Sequence, residues 1–105
     1  MENKNIQIVK DYFKGWETGN KELLKLSPSL VFTSPDINFS NSADFLNECW
    51  KYHGLGYEDM RFISEGNIVC VKYGINSDGK RFGNTEWITL DNGVITEINV
   101  FYGSK

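Results

Sequence analysis

The stretch TEWITLDNGVITEINVFYG, residues 85–103, decides how this chain folds. Two runs rich in β-branched and aromatic residues flank Asp91-Asn92-Gly93, the pattern of a β-hairpin. A two-residue turn at Asn92-Gly93 sets Leu90 opposite Ile95 and Glu86 opposite Asn99. A three-residue loop with Gly93 in the left-handed conformation sets Leu90 opposite Val94, Ile88 opposite Thr96 and Glu86 opposite Ile98. The second register collects Phe82, Ile88, Leu90, Val94, Ile98, Val100 and Tyr102 on one face. Burial of one face is what fixes register, so the three-residue loop is expected. It also carries Asn84 and Glu86 onto the apolar face. A buried carboxyl without a countercharge has a raised pKa, and such acids concentrate in functional clefts. The opposite face holds Trp87, Ile95 and Phe101, an apolar patch that predicts a subunit interface.

Working outward, the period of two continues upstream. Runs over 57–65, 67–76 and 81–90 join 94–102 in an antiparallel meander. Their connections are Glu65-Gly66-Asn67 and Ser77-Asp78-Gly79-Lys80. Before Gly54 the period is helical. Ile6, Val9, Phe13 and Trp16, with Tyr12 on the flank, predict a helix over 4–18 that Gly19-Asn20 stops. A short second helix is expected through Leu23, Leu24 and Leu26, ended by Ser27-Pro28. Residues 30–34 predict a strand closed by Pro35. Phe45, Leu46, Cys49, Trp50 and His53 predict a third helix over 43–53, capped by Ser42. Helices packed on one face of an antiparallel sheet make an α+β class, as one domain over 1–105.

Composition narrows the function. The 105 residues carry a net charge of −3, with the 11 basic residues scattered, which argues against a nucleic-acid surface. The longest apolar run, Ile68 to Val71, is far short of the roughly 20 residues that span a bilayer. The N-terminal residues lack the pattern of a signal peptide, so no membrane partner and a cytoplasmic location are expected. One histidine and two isolated cysteines, Cys49 and Cys70, leave no set of zinc ligands; no metal and no cofactor are expected. Aromatic residues make up 14% of the chain, enough for rings to line a cavity as well as fill a core.

Three stretches carry a family resemblance: DYFKGWETGNKELLKL (11–26), LVFTSPDINFSNSADFL (30–46) and the hairpin of residues 85–103. Together they resemble the SnoaL-like branch of the nuclear transport factor 2-like superfamily, which includes ketosteroid isomerase. The resemblance implies a cone: a curved antiparallel sheet packed around three N-terminal helices, with a pocket inside. It implies that Tyr12 stands where a tyrosine donor sits in ketosteroid isomerase, and Glu86 where that enzyme keeps a protonated acid. The proton-shuttling aspartate should precede the proline of FTSP, where this chain has Ser34. Asp36 lies two residues on. The two histidines of scytalone dehydratase and the late aspartate of the SnoaL-type cyclases have no counterparts.

The expected pocket is lined by Tyr12, Trp16, Phe32, Ser34, Tyr73, Asn84, Glu86, Val100 and Tyr102. Tyr12 and Glu86 are its candidate catalytic pair. Its partner is a small hydrophobic or amphipathic molecule, with isomerase, dehydratase or cyclase-type chemistry as one reading. The alternative is a non-catalytic ligand-binding or dimerisation module of the same fold. In either case a homodimer through Trp87, Ile95 and Phe101 is expected. Phe13, Phe45, Phe62 and Trp50 are read as ordinary core, and His53 and Arg61 as surface residues.

Overall fold

Asn3 starts the first helix by accepting hydrogen bonds from the backbone of Asn5, at 2.8 Å, and Ile6, which serves two otherwise orphaned N–H groups. Helix α1 runs Lys4–Thr18 and ends at Gly19, whose φ of 73° is the left-handed turn that glycine adopts without penalty. Val9, Tyr12, Phe13 and Trp16 form its buried stripe. The computed structural model describes residues 3–77 and 79–103. The tip of the turn expected at Ser77-Asp78-Gly79-Lys80 includes Asp78, and the extreme N-terminus Met1 and Glu2; these lie outside the described residues.

The expected second helix is a single 3-10 turn, Lys21–Leu23, and Leu26 already belongs to strand β1, Leu26–Thr33. Lys25, at φ 47°, reverses the chain, and its carbonyl accepts the Ile95 N–H at 2.9 Å. Pro28 lies within β1, in the stretch where its pairing is interrupted between Leu26 and Val31, so its missing N–H breaks no ladder bond. A two-residue strand β2, Asn38–Phe39, folds back on β1. Helix α2, Ser42–Cys49, is capped by Asn41 rather than Ser42 and passes into a 3-10 turn, Trp50–Tyr52.

Strands β3 (Tyr57–Glu65), β4 (Ile68–Ser77), β5 (Lys80–Asp91) and β6 (Val94–Tyr102) form the expected antiparallel meander. The six strands make one curved, unclosed sheet in the order β2-β1-β6-β5-β4-β3. It is not wholly antiparallel: β1 runs parallel to β6. The helices cover its concave face.

The β5–β6 hairpin differs from the expected register. Asp91 pairs with Val94 across a two-residue turn in which Asn92 and Gly93 have φ of 51° and 81°. Leu90 faces Ile95, as in the register not preferred above. A bulge at Thr96 then shifts the pairing, so that Ile88 faces Ile98 and Glu86 faces Val100. The Thr96 hydroxyl donates to the Thr89 carbonyl at 3.2 Å, holding the bulge. Its effect is to turn both Ile95 and Ile98 inward. Ile95 is fully buried and is a core residue, not part of an exposed interface. Phe82 and Tyr102, expected on the buried face, emerge where β5 and β6 outrun the helices and are about half exposed.

A second bulge lies in β3. Asp59 takes φ 53°, and the pairing with β4 shifts between Glu58 and Arg61. Arg81 bridges it from β5, binding Asp59 at 2.7 Å and Glu58 at 3.3 Å. Its guanidinium crosses β4 above Gly74, in the space a Cβ there would occupy.

Gly15 shows how closely α1 is docked. A Cβ at Gly15 would lie 2.7 Å from the Asn20 carbonyl oxygen and 2.9 Å from Leu24 Cδ2. Alanine is the better helix former by up to about 1 kcal/mol. Gly15→Ala is nevertheless expected to destabilise the fold by about 1–3 kcal/mol, because the obstacle is backbone. Urea unfolding midpoints check this, and a raised midpoint would refute the close docking.

Candidate functional site

Glu86 is the one charged residue in the core of the described structure. Inward parity along β5 places it between Asn84 and Ile88, and the bulge in β6 sets it opposite Val100. Its Oε2 accepts a short hydrogen bond from the hydroxyl of Tyr73, on β4. Its Oε1 is buried and meets no protein donor or acceptor. Burial lifts the Glu86 pKa to about 7, with the Tyr73 hydrogen bond opposing the rise. The carboxyl therefore exchanges its proton near neutral pH. While Tyr73 donates to Oε2, the proton of the neutral form belongs on Oε1.

Tyrosines surround this group. Tyr57 from β3 and Tyr73 meet edge to face with ring centroids 5.1 Å apart, and Phe13 packs on both. Tyr12 comes from α1, edge-on to Phe13 and to Trp16. Burial first, and the Glu86 charge second, hold the phenols of Tyr12, Tyr57 and Tyr73 above their ordinary pKa. All three remain protonated donors at physiological pH.

These groups border a cavity of about 480 Å³ between the helices and the concave face of the sheet. That volume lies within the usual range for small-molecule sites. Tyr12, Trp16, Phe32, Tyr73, Glu86 and Val100 form its buried wall. Asn84, Ser34 and Tyr102 stand nearer its mouth, with Asp36, Lys51 and Tyr52. All nine residues expected to line a pocket thus border one space. Within it, the hydroxyl bonded to Glu86 is that of Tyr73.

Ser34 has a structural task. Its hydroxyl donates to the Ile37 carbonyl at 2.7 Å and accepts from the N–H groups of Ile37 and Asp36. A hydroxyl whose proton is committed to a turn does not act as a base. His53 lies outside the cavity, stacked on Trp50 with Nδ1 2.7 Å from the Trp50 carbonyl. Cys49 borders the cavity, and burial raises its thiol pKa, which suits a packing role. Phe13 and Phe45, read from sequence as plain core, also line the space.

Tyr57 is a polar cavity residue that sequence reasoning missed. Strict alternation back from Phe62 and Met60 sends Tyr57 outward. The bulge at Asp59 restores it to the inner face. A clue was present in an acidic pair, Glu58-Asp59, preceding Arg61 within a strand that otherwise alternates cleanly.

The raised Glu86 pKa sets a pH dependence. The unfolded side chain releases its proton near 4.5 and the folded one near 7. The stabilising neutral form is fully present below the lower value, and its contribution is lost as pH rises through the folded pKa. Stability is expected to fall by on the order of 3 kcal/mol across this window relative to Glu86→Gln. Urea unfolding of both proteins from pH 4 to pH 8 checks the slope. Parallel curves would show that folding leaves the Glu86 pKa unchanged.

No family model matches the sequence, and neither does any curated protein. Solved structures do match. A nuclear transport factor 2-like protein of unknown function from Cytophaga hutchinsonii is 23% identical with a TM-score of 0.84, covering 98% of this chain and 93% of that one. A protein from Kribbella flavida, provisionally assigned as a ketosteroid isomerase, has a TM-score of 0.88 at 14% identity, over 97% of this chain and 79% of that one. A provisionally assigned polyketide cyclase from Xanthomonas campestris has a TM-score of 0.83 at 12% identity, over 95% and 90% of the two chains. At these identities the likeness is one of fold. The chain has the nuclear transport factor 2-like fold, as its helix and hairpin motifs implied.

Proposed function

We propose that the cavity binds a small hydrophobic or amphipathic organic molecule and that Glu86 transfers a proton to or from it, as in isomerase- or cyclase-type chemistry. The observation that carries this reading is the free Oε1 of a buried carboxyl, held by Tyr73 and facing an aromatic cavity. A proton-transfer group works best when its pKa lies near the working pH, and Glu86 meets that condition. With Ser34 committed to its turn, the ionised form of Glu86 is the base that the aspartate of ketosteroid isomerase would otherwise provide. The protonated tyrosines Tyr12 and Tyr57 supply donors toward a ligand oxygen on which charge develops. The names of two of the structural neighbours, an isomerase and a cyclase, are consistent with such chemistry.

The reaction class has a direct assay. A panel of cyclic ketones in deuterated buffer, followed by proton NMR, reports loss of the hydrogen next to the carbonyl. The protein is expected to accelerate exchange for at least one ketone, and Glu86→Gln to lower that rate by about 10²–10⁴-fold. Binding without exchange would favour the non-catalytic ligand-binding reading.

A second reading concerns assembly. Trp87 and Phe101 are 48% and 54% exposed on the outer sheet face, with Ile63 and Val31 also exposed there. Single exposed apolar residues are common, but this set crosses several strands of one face. We infer that this face, without Ile95, joins two copies of the chain. Sedimentation should give a dimer for the wild type and a monomer for Trp87→Lys, with unchanged circular dichroism. A wild-type monomer refutes it.

A further inference from the structure

Trp16 is the other residue of the cavity wall with an unsatisfied polar atom. Its indole Nε1 is buried and has no hydrogen-bond partner in the protein. The side chain is 6% exposed and wedged among rings: Phe45 at 5.8 Å, Trp50 at 4.8 Å and Tyr12 at 6.3 Å between centroids. Its backbone is also fixed, since the Trp16 carbonyl accepts the Gly54 N–H at 2.7 Å. An indole packed this way has no rotamer freedom with which to seek a partner. The Tyr12 hydroxyl is the protein group this N–H points toward, and the indole draws the Tyr12 pKa down against its burial. The two do not reach hydrogen-bond geometry, so the donor stays open to a better-placed acceptor. A phenylalanine would supply the ring contacts without leaving a buried donor unpaired.

The two unsatisfied atoms differ in what they accept as partners. An indole N–H only donates, so it selects an acceptor and gains nothing from a hydrocarbon or an ammonium group. Glu86 Oε1 either donates or accepts, according to its proton. The walls between them are aromatic: Phe32, Phe45, Phe13 and Tyr73.

We propose that Trp16 Nε1 is a ligand-anchoring donor, and that the cavity selects uncharged, ring-sized organic molecules carrying a carbonyl-type acceptor. This inference rests on the pocket reading above but assigns a different atom and a ligand class. Trp16 positions the ligand, leaving proton transfer to Glu86.

The test compares two probes of one shape, 2-acetylnaphthalene and 2-ethylnaphthalene, which differ in the acceptor. Isothermal titration with wild-type protein is expected to favour the ketone by about tenfold, the scale of one net hydrogen bond. In Trp16→Phe the hydrocarbon should bind as before, and the preference should shrink to within about twofold. A preference kept in Trp16→Phe would overturn the proposal, placing recognition on Tyr12, Tyr57 or Glu86. Equal binding of both probes to the wild type would overturn it while leaving the pocket standing. Binding of neither would remove both. Should Trp16→Phe fold poorly, the indole resonance in ¹⁵N-labelled wild-type protein gives the same decision. Trp16 is the one buried indole of the three. Its N–H signal should move downfield with the ketone and not with the hydrocarbon; equal movement with both refutes the anchor.

Discussion

Thr96, the residue that β6 carries in excess of β5, determines which side of the sheet the rest of that strand faces. Were the strand regular through this point, the side chains of Ile95 and Ile98, three residues apart, would point to opposite sides, and one isoleucine would be lost from the core. Asp59 does the same for β3. A regular strand alternates without exception, and a sheet of regular strands twists but does not bend sharply around a helix. The extra residues spend local pairing to gain curvature. Arg81 and the Thr96 hydroxyl hold the two irregular places in position. The concavity that faces α1, and hence the cavity, depends on these exceptions to the period of two.

The curvature creates an electrostatic problem at Glu86. An isolated carboxylate in an aromatic enclosure is costly, and here the single hydrogen bond from Tyr73 does not offset the lost hydration. The group responds by holding its proton more tightly. The surrounding phenols are weak acids made weaker by the same burial, so no competing anion forms beside it. One titrating group among protonated donors is a simpler arrangement than a pair of acids, because its protonation state is not shared.

Much of this was legible in the sequence, for identifiable reasons. Glu86 lies two residues from Ile88 on a strand without a bulge between them, so its inward direction follows from parity whatever the turn does. The aromatic stripe of α1 follows from helical spacing in the same way. Ile95 was misplaced because a bulge leaves no mark in a run where threonine, glutamate and isoleucine all tolerate either face. Tyr57 was hidden by the same effect at Asp59. Leu23 to Leu26 suits a helix by composition, and only the reversal at Lys25 and the bond from Ile95 make its end a strand. The parallel pairing of β1 with β6 was out of reach altogether, since a strand's own pattern does not name its neighbour.

That pairing bears on how the protein is made. The Thr33 side chain bonds Asn99, 66 residues further along, and Phe32 is brought beside Ile98. Until β6 has left the ribosome, β1 has only the two residues of β2 paired beside it, with Phe45 of α2 stacked on Phe32. Contacts of such long sequence separation close slowly, after local hairpins have formed. The wall of the cavity that contains Phe32 is therefore completed only once β6 has been synthesised.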